Sequence, residues 1–223
     1  MMPAVDDEPV TERPRRRDAQ RNRERVIAAA TEVLARDGLD AAVPEIARVA
    51  GVGKGTVYRN FATKEELAVA VAVARLDGFE RRVAEALATD CSPADHLRAL
   101  VLAIVERIRP DRSLGEVVEA VADDPEVAAA HQRLWQRTAE ALEAAQRAGV
   151  ARDDVDATDL TVLLSAVART LPPLNVGGRP EIWDRYALLL LDALRPGGSP
   201  LPAGFSGPAE MRSSMQPARA RRA

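Results

Sequence analysis

The sequence predicts an all-α protein, with an N-terminal three-helix helix-turn-helix domain ahead of a C-terminal helical bundle. Three observations carry this. Ala, Leu, Arg and Glu dominate while aromatics make up 3% of the chain, a balance that favours helices over sheets. Apolar residues recur at helical spacing in segment after segment, and Gly or Pro closes most of them. Residues 44–64 read as two short helices joined by a glycine turn.

In chain order, residues 1–17 are polar, carry Pro3, Pro9 and Pro14, and are expected to be a disordered arm. The arm ends in Arg13, Arg15, Arg16 and Arg17, and Arg21, Arg23 and Arg25 open the next helix, so the cluster could follow a phosphate backbone or reach a minor groove. That helix spans 19–37, with Val26, Ile27, Ala30, Val33 and Leu34 as its stripe and Gly38 as its cap. Pro44 suits the first turn of the next helix, where a missing N–H costs nothing. Ile46, Ala47, Val49 and Ala50 give that helix an apolar side, Gly51 stops it in the left-handed conformation, and Val52 plugs the turn. The second short helix turns Val57 and Phe61 inward and leaves Lys54, Thr56, Tyr58, Arg59 and Asn60 outside.

Thr63 caps a long helix over 64–88, with Glu66 completing the capping box and Leu67, Val71, Ala74, Phe79 and Val83 facing inward. It joins the reading domain (18–88, motif about 42–61) to a body over 89–195, with a boundary near 90–93. The body begins with a helix over 94–109 that Pro110 ends, then a short helix over 114–122. Asp123-Asp124-Pro125 opens a long helix that Gly149 closes. A helix over 156–171 runs to the Pro172-Pro173 break, and a last one covers 179–194. Residues 196–223, rich in Pro and Gly, are expected to form a floppy tail.

The net charge of −3 hides a division: residues 13–64 carry +6 and residues 65–195 carry −8. A basic reader on an acidic body suits a polyanion partner. Cys91 is the lone cysteine, which excludes an internal disulfide and fits a reducing compartment. With no signal peptide and no apolar run of membrane-spanning length, a cytoplasmic location away from membranes is expected. No cofactor and no metal are expected, because no Cys/His ligand spacing is present.

The outward residues of the second short helix have groove chemistry: ammonium, hydroxyl, phenol, guanidinium and carboxamide bond phosphates or base edges. Lys54, Gly55, Thr56, Tyr58, Arg59 and Asn60, with Arg48, Arg16 and Arg17, are the candidate DNA contacts. Gly53 and Gly55 would let the backbone come close to another surface. The same stretch is no P-loop, since Arg48 stands where the first glycine belongs, Gly55 where the hydroxyl belongs, and the preceding segment is helical.

Ile46, Ala47, Ala50, Gly51, Val52, Gly55, Thr56, Tyr58, Phe61, Lys64 and Leu67 together resemble the pattern of the TetR family of bacterial repressors. The resemblance implies phosphate contacts by Thr56, Tyr58 and Lys64, and variable groove contacts by Lys54, Arg59 and Asn60. One departure stands out: where the family usually has Thr or Ser capping the first short helix, this chain has Ala41, Ala42 and Val43, so a cap of ~1 kcal/mol is missing. The body, with Asp-Asp-Pro-Glu before its long helix, is similar to the SbtR-like branch of the family.

Two further expectations concern the body. The last two helices are apolar around most of their circumference, which calls for cover on more than one face. Leu160, Leu163, Leu164, Val167, Ile182, Tyr186, Leu189 and Leu190 are therefore assigned to a homodimer interface, as the resemblance also implies. A two-fold dimer reads an inverted-repeat operator. By the same resemblance, an unknown small-molecule effector sits among the middle helices, with His96, Leu100, Ile104, Arg107, Glu119, His131, Trp135 and Thr138 as candidate lining. The expected function is a ligand-released homodimeric repressor. The alternatives are a DNA-organising helix-turn-helix protein without sensing, or a helical enzyme, which the missing nucleophile–base pairing disfavours.

Overall fold

The computed structural model describes residues 12–108, 112–170, 179–205, 207 and 210–211, with backbone alone at 12–16, 106–108, 112–114, 168–170 and 180. Among these the regular structure is entirely helical: α1 (Glu12–Asp37), a 3₁₀ turn (Gly38–Asp40), α2 (Val43–Ala50), α3 (Lys54–Asn60), α4 (Lys64–Leu87), α5 (Pro93–Ile108), α6 (Arg112–Ala120), α7 (Pro125–Arg147), α8 (Ala157–Thr170) and α9 (Pro180–Ala193).

The punctuation is set by local chemistry. Gly38, Gly51 and Gly149 close α1, α2 and α7 with φ of 62°, 62° and 69°, where a Cβ would be strained. The Thr63 hydroxyl accepts from Glu66 N at 3.0 Å, while the Glu66 carboxylate takes the Ala62 N–H at 2.6 Å, a capping box displaced by one residue. Asp124 caps α7 through Glu126 N, and Asp156 caps α8 through the N–H groups of Thr158 and Asp159. At α2 the N-cap is Ala42, which makes no side-chain bond.

Burial divides the interior into two clusters. The first gathers Val26, Val33 and Leu34 of α1, Ile46 and Ala47 of α2, Val57 and Phe61 at α3, and Leu67, Val71, Ala72 and Leu76 of α4. It also takes in Val117 of α6, Val121, and Val127 and Ala130 of α7, so the reading head is sealed by the body's own helices. The second cluster joins Phe79 and Val83 of α4 to Leu97, Leu100 and Ile104 of α5, Leu142 of α7, Leu160 of α8 and Trp183 of α9. α4 thus runs through both clusters, and Leu134 packs against each. On the surface, Arg133 bonds Asp77 at 2.5 Å and Arg137 bonds Glu80 at 3.1 Å, tying α7 along α4.

Several sequence expectations need correcting. α1 starts at Glu12 rather than residue 19, so the arm's last turn is helical; Pro14 is tolerated because first-turn N–H groups have no helical acceptor. On α4, Ala74 is exposed, and Ala72 and Leu76 take the inner positions with Val71. The tail is not loose where it leaves α9. Arg152 Nη2 donates to Ser199 O at 2.7 Å, Leu201 N donates to Asp154 Oδ2 at 2.9 Å, and Arg152 N donates to Leu194 O at 2.8 Å. Residues 195–205 therefore lie along the α7–α8 connection. The Arg152 guanidinium and the Leu201 N–H hold the Asp154 carboxyl well below the usual carboxylate range. The Pro172-Pro173 break lies outside the described residues.

Candidate nucleic-acid interface

α3 is held from behind and presented outward. Val57 and Phe61 are buried beneath it. Two arginines of α1 fix the ends of the short helices. Arg25 Nη2 donates to Ala50 O at 2.7 Å, at the C-terminus of α2, and Arg23 Nη1 donates to Asn60 O at 3.2 Å, at the C-terminus of α3. Cations suit both places, because unpaired carbonyls make a helix C-terminus partly negative. The Arg23 guanidinium also stacks 4.3 Å from the Phe61 ring centroid. These two residues read in sequence as part of a DNA-facing arginine run; the structure makes them braces of the motif.

The outer surface of α3 keeps the expected residues. Lys54, Gly55, Tyr58 and Arg59 are exposed, Tyr58 by 45%, and Thr56 and Asn60 are half-buried. Several are parked on their own helix: Arg59 Nη2 donates to Thr56 Oγ1 at 2.9 Å, Asn60 Nδ2 donates to Thr56 O at 2.8 Å, and Lys54 Nζ sits 5.7 Å from the Tyr58 ring centroid. A Cβ built at Gly53 or Gly55 would meet nothing within 4 Å. Packing therefore does not demand glycine there, whereas close approach by another surface would favour it.

The flanking cations differ. Lys64 Nζ donates to Leu39 O at 2.5 Å, at the edge of the motif. Arg48 forms a two-pronged pair with Glu45 at 2.7 and 2.8 Å, and Arg36 reaches the same carboxylate at 3.4 Å. Those guanidinium contacts, Arg48's first, draw the Glu45 carboxyl down to about 2. Arg48 thus makes its contacts within α2, on an exposed side chain. Arg17 is exposed on α1, and the Arg16 side chain lies outside the described residues.

The body's candidate residues scatter. His96 Nε2 pairs with Thr89 O at 2.7 Å, at the α4–α5 turn. Leu100 and Ile104 are core, Glu119 is exposed, and Thr138 is buried with its hydroxyl donated to Leu134 O. His131 and Trp135 are half-buried on α7, and the Trp135 Nε1 is buried with no acceptor. The Arg107 side chain lies outside the described residues. A cavity of about 230 Å³ opens elsewhere, between the reading head and α6.

The assigned interface residues also divide. Leu160, Leu164 and Leu190 are buried in the protomer's own second cluster, and Val167 and Ile182 pack at its edge. Leu160, Leu164 and Leu190 thus pack within the protomer, while Val167 and Ile182 keep part of their surface open, because apolarity along the sequence does not tell inner from outer faces. Leu163, Tyr186 and Leu189 stay exposed, together with Leu188, and Leu189 is 51% open. Among the described residues no cluster of His, Cys, Asp and Glu could hold a metal, and no helix is long and apolar enough to cross a membrane.

Comparison with known proteins agrees along both parts of the chain. Residues 26–71 match the family model of bacterial regulatory proteins of the tetR family, and residues 92–196 match that of the C-terminal domain of SbtR-like transcriptional regulators. Among solved structures, a TetR transcriptional regulator from Streptomyces coelicolor is 31% identical over 79% of this chain and 99% of its own, with a TM-score of 0.59. A TetR transcription regulatory protein from Mycobacterium vanbaalenii is 33% identical over 82% of this chain and 99% of its own, with a TM-score of 0.60. The ketosteroid regulator KstR2 of Mycobacterium tuberculosis shares the fold at 23% identity, over 78% of this chain and 95% of its own, with a TM-score of 0.57.

Proposed function

The chain belongs to the tetR family of bacterial regulatory proteins, whose members regulate transcription by binding DNA, and from that premise we propose that it is a homodimeric repressor released from an inverted-repeat operator by a small molecule. The observation that carries this reading is the face of α3: a polar surface with two glycines that packing does not require, braced by Arg23 and Arg25. In use, Tyr58, Thr56 and Lys64 take phosphate oxygens, which sets affinity on any sequence. Lys54, Arg59 and Asn60 lie on the groove side and choose the base pairs. To reach DNA, Arg59 and Asn60 release their hydrogen bonds to Thr56, and Lys54 leaves its place over the Tyr58 ring.

Exposed Leu163, Tyr186, Leu188 and Leu189 on α8 and α9 support pairing of two copies through these helices. Such a two-fold assembly sets two α3 helices about one duplex turn apart. The effector works by stabilising the dimer state in which that spacing is wrong, and only through its difference in affinity between states. Inverting a 99:1 population takes ~5.5 kcal/mol of that difference. Trp135 supports a site in the middle helices, because an orphaned buried donor costs about 1–3 kcal/mol that a ligand acceptor would recover.

The test is footprinting on the DNA upstream of the protein's own gene, alongside sedimentation of the free protein. A dimer protecting one inverted repeat is the expected result. A monomer, or uniform coating of the fragment, would refute the reading.

A further inference from the structure

The cavity between the reading head and α6 has walls of one kind and a mouth of another. Leu34 of α1, Leu39 of the 3₁₀ turn, Ile46 of α2, Leu67 and Ala68 of α4, and Ala120 and Val121 at the end of α6 line an apolar cleft of about 230 Å³ that is open to solvent on one side. Lys64 and Glu65, both exposed, border its opening. Among the described residues the Lys64 ammonium meets a carbonyl there, that of Leu39, and the ion pairs described in the reading head leave it out. We propose that this cleft is a second ligand site, which takes a small monocarboxylic acid with its apolar body among Leu34, Ile46, Leu67 and Val121 and its carboxylate on Lys64.

Size, charge and position each set a term. An apolar cavity of ~150 Å³ is enough to take up benzene, so a cleft of this volume has room for a single ring or a short alkyl chain. A carboxylate offers Lys64 a charge-assisted bond, which is stronger than its bond to the Leu39 carbonyl. The first turn of α4, where Lys64 sits, adds the favourable end of a helix dipole. The apolar lining offers a second carboxylate no partner, so burying a dicarboxylate's far end is costly. Position gives the site its consequence. Lys64 is the residue offered to phosphate, and a bound acid would occupy it, so acid and duplex compete for one ammonium. This site is separate from the effector site in the middle helices, and its occupancy is measured without DNA, so it stands or falls apart from the repressor reading.

The experiment titrates benzoate and hexanoate into the full-length protein by calorimetry, with benzamide and succinate as controls. One saturable site per chain is expected for both acids, with binding at least tenfold weaker for benzamide and succinate. Ala120→Trp, which fills the cleft from an exposed position, and Lys64→Met should each weaken benzoate at least tenfold. Thermal melts report whether each variant is folded, and if Ala120→Trp is not, Lys64→Met decides. No saturable binding, or binding indifferent to the folded variants, overturns the site. Benzamide binding as tightly as benzoate overturns the role of Lys64. Benzoate should also raise the Kd for a random duplex at low salt severalfold; an unchanged Kd would overturn the competition.

Discussion

At the scale of single residues, the two lysines are the sharpest probes, since Lys54 and Lys64 are the only lysines in the chain. An amine-reactive reagent therefore reads the two ε-amines, one on α3 and one at the start of α4, against the background of the terminal amine alone. Bound duplex should protect both from labelling, as read by peptide mass spectrometry. Undiminished labelling of Lys64 on DNA would remove it from the interface. Glu45 gives a pH signature. Its carboxyl is drawn from an ordinary 4.5 to about 2 by Arg48 and Arg36, so its pairing is complete above about 4.5 and is lost as pH falls toward 2. The stability difference between the wild type and Glu45→Gln should shrink across that window in acid titrations of the melting temperature. The inward set of α3, Val57 and Phe61, was legible from spacing alone. Arg23 and Arg25 were not, because their carbonyl partners lie 37 and 25 residues further along the chain.

At the scale of elements, caps decide where helices begin, and two of them differ instructively. Thr63 is a working N-cap, and Thr63→Ala should lower the unfolding free energy by ~1 kcal/mol in urea titrations. α2 lacks a side-chain cap because Ala42 stands there, with an extended backbone already suited to the position. Ala42→Ser should therefore stabilise the protein by about 0.5–1 kcal/mol. An effect of the opposite sign would show that this N-terminus is satisfied in some other way. The Gly and Asp punctuation of most helices was readable because caps act within four residues of the bonds they make. The start of α1 is not legible in the sequence, since prolines near residue 14 look like disorder, yet a helix accepts proline in its first turn. The order of the segment after α9 is not legible for a different reason: Arg152 and Asp154, far away in sequence, anchor it.

At the scale of the whole molecule, the division into head and body is less clean than a cut near residue 88 implies. Val117, Val121 and Val127 belong to the head's hydrophobic cluster, so α6 and the start of α7 pack into the head. α4 spans both clusters and is bound to α7 by the Arg133–Asp77 and Arg137–Glu80 pairs. That gives a physical route by which a change in the body can reach α3. The exposed apolar strip on α8 and α9 makes a prediction at this scale. Leu189→Glu should leave the melting of the isolated chain nearly unchanged, since Leu189 is exposed, yet abolish dimerisation in sedimentation experiments and weaken operator binding at least tenfold. A dimer that survives this change would place the interface elsewhere.

By itself the sequence determined what depends on near neighbours: helix periodicity, the glycine turn between α2 and α3, the buried and exposed sides of α3, and the charge division that points to a polyanion. The contiguous pattern through residues 46–67 carried the family as well. Tertiary structure alone decided what depends on distant residues meeting. It turned two arginines into braces, buried Leu160, Leu164 and Leu190 inside the protomer, and opened a cleft where α1, α2, α4 and α6 converge. The reason is geometric: spacing along a chain fixes which residues share a helix face, while the packing of helices fixes what that face meets.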